Sequence, residues 1–184
     1  MQKATCARVV FPAKHLAFTS LFSALCFVAT MLVVIPLPNG YFNAGDVFVL
    51  LAGWCLGPLY GAIAGAVGSA LADICSGFAL YAPATFFIKG ATALIGYYAW
   101  LLCKKVVTVD TWDFIPRLCA VILAESVMVL GYFCFETALY GVAGAVLSLL
   151  GNSLQGICCG LLAVSVCKVL CSIKGVKKLF PRLF

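Results

Sequence analysis

Charge is scarce in this sequence. Lys and Arg together number 12 and Asp and Glu only 6 in 184 residues, with a single histidine. Hydrophobic residues make up 65% and charged residues 10%, and no soluble domain of this length hides so much apolar surface. His15 has no acidic or thiol neighbour at ligand spacing, and the eleven cysteines include no CxxC pair. Neither a metal centre nor a disulfide framework is therefore expected. Most cysteines (Cys26, Cys55, Cys75, Cys119, Cys158, Cys159) lie in apolar runs and act as small apolar residues. No GxxxxGK[ST] phosphate loop, HExxH or GxSxG element occurs. The chain is thus expected to bind no cofactor and to hydrolyse no nucleotide itself.

What is abundant is long apolar segments. The chain reads as an all-α integral membrane protein, one membrane domain over residues 1–184. The first segment runs from Lys14 to Ile35, too long for a signal-peptide core and without a small-residue cleavage site, so it reads as a retained helix. Clear spans follow at 85–103, 114–135 and 148–171. Residues 47–72 carry no charge over 26 positions and admit one long helix or two short ones. The Gly57-Pro58 pair punctuates a helix, and charge bias arbitrates. With a break there, six transmembrane helices result, at about 15–36, 45–57, 59–76, 85–103, 114–135 and 148–171. Eleven of the twelve basic residues then fall on the side of both termini, which is cytoplasmic by the positive-inside rule. A connector, VTVDTWD (107–113), and a basic tail, 172–184, lie on that side. Helix 3 repeats Gly57, Gly61 and Gly65, and Ala62, Ala66 and Ala70, every fourth position, a face suited to close internal packing.

Lys89 is the exception to the charge bias. An ionisable residue inside a membrane is a functional hypothesis by default. Asp46 opens helix 2 and Asp73 ends helix 3, while Tyr81 and Thr85 precede Lys89 at the start of helix 4. Asn152 and Gln155 share a face of helix 6. Tyr41 and Asn43 belong to the outer loop PLPNGYFNAG, Glu136 ends helix 5, and Glu125 lies deeper. This polarity occupies the outer half of the bundle over an apolar inner half, which describes a cup open to the outside rather than a channel lined throughout. Tyr41, Phe42, Phe78, Tyr81 and Phe86 suit a flat ring held between π faces, or an interfacial aromatic belt. Asp73 and Lys89 can also simply neutralise each other, and Asn152 can cap helix 6. An autonomous small membrane carrier, or a membrane enzyme using Glu125, is the alternative reading.

The run GYFNAGDVFVLLAGWCLGPLYGAIAGAVGSALADICSGFALYAPATFFIKG resembles the substrate-binding S components of energy-coupling factor (ECF) vitamin transporters, six-helix proteins of about this length. The shared features are a Gly-Asp opening helix 2, a Gly-Pro turn, GSALAD, a Thr-Phe-x-x-Lys-Gly entry to helix 4, and GNSLQG with Asn152 and Gln155. SLFSA, Ser20 to Ala24, stands where the family has Ala-x-x-x-Ala on helix 1. The resemblance implies a multi-pass protein of a prokaryotic plasma membrane that captures a vitamin or vitamin precursor outside the cell. A T component carrying two ATP-binding cassette ATPases would supply the energy and contact Ser20 and Ala24. Ligands of riboflavin, hydroxymethylpyrimidine or pyridoxine type are implied. Tyr41, Asn43, Asp46, Asp73, Tyr81, Thr85, Lys89, Glu125, Asn152 and Gln155 are the candidate ligand-binding set, with Lys89 pairing with Asp73 in the empty cup.

The topology is checked by reporter fusions. Fusions after residue 107 and at the C-terminus should both read cytoplasmic, and a label at position 80 should be reached from outside. External labelling at 107 with protection at 80 would overturn the six-span arrangement.

Overall fold

A computed structural model describes residues 13–37, 39–107 and 113–184. The basic residues Lys3 and Arg8 and most of the 107–113 connector lie outside the described residues. The elements are α1 (Ala13–Leu32), β1 (Ile35–Leu37), β2 (Gly40–Phe42), α2 (Gly45–Leu56), α3 (Pro58–Cys75), α4 (Ala82–Val106), α5 (Phe114–Ser172), α6 (Val176–Leu179) and a closing 3-10 turn, Pro181–Leu183. Among the described residues four helices, α1, α3, α4 and α5, are long and apolar enough to cross a membrane. Their outward faces carry Leu16, Leu32, Leu59, Leu102, Ile122 and Leu150, side chains at home against lipid.

Two sharp reversals organise the bundle, each made by one glycine. Gly57 (φ 87, ψ 179) separates α2 from α3, and Gly141 (φ 74, ψ 170) interrupts α5. Both conformations fall in a region of backbone space essentially reserved for glycine. Across Gly57, Gly61 sits against the Gly53 backbone and Gly65 against Val49, pairs equidistant from the turn. Across Gly141, Gly156 abuts Glu125 and Gly160 abuts Val121, again nearly equidistant. Each glycine thus closes an antiparallel helical hairpin. The interval expected between helices 5 and 6, 136–147, is accordingly helical except at Gly141, and Glu136 lies about one turn before that break, near the end of the first arm.

α2 is the axis of the molecule. Every residue but Phe48 is buried, which is why its sequence is apolar on all sides. At 12 residues it extends only ~18 Å, short of a ~30 Å hydrocarbon layer. Small residues let its neighbours close in. A Cβ on Gly53 would lie 2.6 Å from the Ala93 carbonyl oxygen of α4. On α3, a Cβ at Gly68 would collide with the Ser23 carbonyl oxygen of α1, so the glycine face of α3 serves internal packing.

The two ends of the bundle differ. At one end β1 and β2 form a hairpin with Pro36 opposite Tyr41. It is fastened to the second arm of α5, where Asn39 Nδ2 donates to the Gly144 carbonyl at 2.7 Å and Leu37 fills the space over Gly151. At the other end the segment expected as a basic tail folds back onto the helices. Arg182 Nη1 donates to the Leu56 carbonyl at 2.7 Å, capping the C-terminus of α2. Arg117 Nη2 donates to the Leu183 carbonyl at 2.5 Å, its guanidinium stacked 4.1 Å over Trp100 and 5.0 Å from Trp54. Phe180 packs edge-on against Phe18 of α1. The expectation of a purely apolar inner half is corrected here, because Arg117 is buried at 1% exposure.

Gly141→Ala should be costly for backbone reasons alone, since nothing lies within 4 Å of the added Cβ. A loss of about 1–3 kcal/mol is expected, read as a lower thermal midpoint in detergent. Gly40→Ala, equally unobstructed but without positive φ, should melt like the parent. Equal midpoints for all three proteins would show that the turn does not depend on glycine.

Candidate ligand-binding cup

The N-terminal turns of α2 and α4, the end of α3 and both arms of α5 converge beneath the β-hairpin. Between them lies a small polar cup with a cavity volume of about 40 Å³. Tyr41, Asn43, Asp73, Phe78, Tyr81, Thr85, Tyr132, Glu136, Asn152 and Gln155 line it, with Gly40 at the rim. Its volume is well below the ~300–1,000 Å³ of small-molecule sites, so a ligand enters only as the walls part.

The floor is an ion pair. Lys89 Nζ donates to both oxygens of Asp46, at 2.6 and 2.8 Å, and both side chains are buried. Gln155 Nε2 donates to Asp46 Oδ2 at 2.6 Å, while its Oε1 accepts from the Asn43 backbone N–H at 2.8 Å. Asn43 Oδ1 in turn accepts from the Gly45 N–H at 3.0 Å, satisfying a donor in the first turn of α2. The Tyr132 ring covers Lys89 at 5.4 Å, and the Tyr132 hydroxyl lies 2.9 Å from Thr85 Oγ1. The expected Lys89–Asp73 pair does not form. Asp46 is not at the surface but fully buried, and α4 begins at Ala82, which sets Lys89 two turns in, level with Asp46.

The walls are aromatic and acidic. Tyr41 Oη donates to Asp73 Oδ1 at 2.7 Å; burial first, and the Asp73 charge second, push this hydroxyl up from its ordinary range, so it remains a donor. Tyr41 meets Phe78 at 5.0 Å between ring centroids, and Tyr81 meets Phe135 edge-on at 5.2 Å. Asp73 Oδ2 and Glu136 Oε2 are buried and have no hydrogen-bond partner among the described residues.

Of the ten residues expected at the site, Tyr41, Asn43, Asp73, Tyr81, Thr85, Asn152 and Gln155 line the cup, and Asp46 and Lys89 build its floor. Glu125 does not line the cup, though its buried carboxylate lies within electrostatic reach of Lys89 and Asp46. It faces a lateral apolar groove between the two arms of α5, with Val121, Ile122, Val129, Gly156 and Ile157. The residue missed by sequence reasoning is Tyr132. Its signal was its spacing, two turns after Glu125 and one turn before Glu136 on the same face. Ser20 and Ala24 are exposed on α1, opposite buried Thr19, Phe22 and Cys26.

The family model for the ECF-type riboflavin transporter, S component, matches residues 10–172. This chain belongs to that family. Its members are transporter subunits rather than enzymes, and the chain is a substrate-binding membrane subunit of an ECF transporter. An uncharacterized protein in gap 3'region from Pyrococcus woesei is 39% identical over 132 residues, covering 71% of this chain and 83% of that one. A solved structure of the S component of a bacterial ECF transporter superposes with a TM-score of 0.62 at 24% identity, over 86% of this chain and 96% of that one. That match supports the fold. In this S component the cup sits beneath the β-hairpin over an internally neutralised floor.

Lys89→Met should leave Asp46 buried without its cation and cost about 3–5 kcal/mol of stability. Adding Asp46→Asn should recover more than half of that loss in thermal unfolding of the detergent-purified protein. Equal losses in the single and double variants would show that the two side chains act independently.

Proposed function

We propose that this S component captures riboflavin from outside the cell in the cup beneath the β-hairpin. In this reading the chain crosses the membrane six times with both termini inside. It delivers its ligand through a T component bearing two ATP-binding cassette ATPases, which hydrolyse the ATP. The observation that carries the reading is the pairing of aromatic walls with a ring of polar groups over a closed floor. Tyr41, Phe78 and Tyr81 offer π faces for a flat tricyclic ring. Asn152 offers a donor for a ring carbonyl, and Asp73 and Glu136 accept from the hydroxyls of the ribityl chain.

Mass spectrometry of ligand co-purifying with the detergent-solubilised chain, followed by titration of flavin fluorescence, tests this directly. A one-to-one quench is expected. Asn152→Leu should weaken binding about tenfold or more, in keeping with ~1–3 kcal/mol for a lost buried hydrogen bond. A pyrimidine or pyridoxine ligand in place of riboflavin, with no flavin quench, would overturn the assignment.

The exposed small face of α1 supports a helix–helix contact with the T component, because small residues allow close backbone approach. Ser20→Trp or Ala24→Trp should leave riboflavin affinity of the isolated chain near normal while lowering ATP-dependent uptake and co-purification with the T component. Full uptake and complex formation in both variants would remove this face from the interface.

A further inference from the structure

We propose that the end of the bundle opposite the cup holds the phosphate of an anionic membrane lipid, in a basic cavity between α1 and the folded-back chain end. The site stands apart from the cup and does not rest on the riboflavin reading. The six-span orientation proposed above places it in the inner leaflet, and the test below does not depend on that orientation.

Three observations carry it. First, a cavity of about 100 Å³ is lined by Lys14, His15 and Arg182 together with Phe18, Leu179 and Phe180. That is the volume of about three waters, which suits one phosphate group and excludes a nucleotide or a flat ring system. The Arg182 bond to the Leu56 carbonyl uses one of the five N–H donors of a guanidinium. His15 is stacked on Tyr60 with ring centroids 4.9 Å apart, and its Nδ1 is buried without a hydrogen-bond partner among the described residues. The Lys14 ammonium lies 5.9 Å from the Phe18 ring and makes no ion pair among the described residues.

Second, the charge around the cavity is uncompensated. Lys174, Lys177 and Lys178 are exposed on the same folded-back segment. The described acid at this end, Asp113, is already bound by Lys104 at 2.7 Å. Third, apolar side chains border the basic ones. Leu179 in the cavity wall and Leu16 beside His15 are exposed, while Val176 and Leu183 are buried and pin the segment to the helices. Cations next to exposed apolar side chains match the boundary between headgroups and acyl chains. A lipid satisfies both halves of the site, its phosphate among the cations and its chain along Leu16 and Leu179. A free phosphate satisfies only the first.

The test is native mass spectrometry of the purified full-length chain, equilibrated in detergent micelles with equal amounts of phosphatidylglycerol and phosphatidylcholine of matched chains. The first lipid retained should be phosphatidylglycerol, by about tenfold or more. Lys14→Gln should lower that preference about fivefold, as for one basic side chain near an anionic headgroup, and Lys14→Arg should retain it. Lys168→Gln removes the same charge from an exposed position of α5 outside the cavity and should leave the preference unchanged. Equal losses from Lys14→Gln and Lys168→Gln would show diffuse attraction to a basic surface and overturn the site. So would equal retention of the two lipids by the parent chain. Displacement of phosphatidylglycerol by inorganic phosphate, but not by chloride at equal ionic strength, would assign the cavity to a free anion and overturn the lipid assignment.

Discussion

Two opposite charges removed from water together set the geometry of this protein. Lys89 and Asp46 lie on helices far apart in sequence, and either alone would be costly at this depth. Bound at 2.6 and 2.8 Å, they fix the register of α4 against α2. Gln155 adds the second arm of α5 to the same carboxylate. Such a pair is weak evidence of net stability and stronger evidence of specificity, because only one sliding position of each helix satisfies it. The cup follows from that register. With the floor locked, Thr85, Tyr132 and Asn43 take their places above it.

Much of the arrangement was legible in the sequence. Hydropathy located the helices, Gly57-Pro58 marked the first reversal, and polar residues confined to a few helix ends outlined the cup. The partner of Lys89 was not legible. α4 starts at Ala82, three residues before the helical onset expected from hydropathy at Thr85, and this shift of nearly one turn moves Lys89 past Asp73 to Asp46. Hydropathy averages over a window and cannot place a helix end within a turn. The reversal at Gly141 was hidden for a related reason. A one-residue turn needs no polar loop, so nothing in ALYGVAGAV announces it beyond glycine itself.

Arg117 and the chain end show a second way in which sequence and fold differ. Counted as positive charges on one side of a membrane, they carry only topology. In the fold, Arg117 lies sandwiched by Trp100 and Trp54 and reaches the Leu183 carbonyl, and Arg182 caps α2. The guanidinium suits both tasks, because it stacks as a plane and donates at its edge. A segment that reads as a charged tail is thereby the closing wall of the bundle.

The shortness of α2 has its own consequence for where the cup lies along the bundle. The cup rests on the first turn of this helix, and the helix ends at Leu56 under the Arg182 cap. Only ~18 Å of helix therefore separates a molecule in the cup from the far end of the bundle. A hydrocarbon layer is ~30 Å thick. The helix under the cup is thus well short of such a layer, and the β-hairpin at one end and the folded-back chain end at the other make up the length that it lacks.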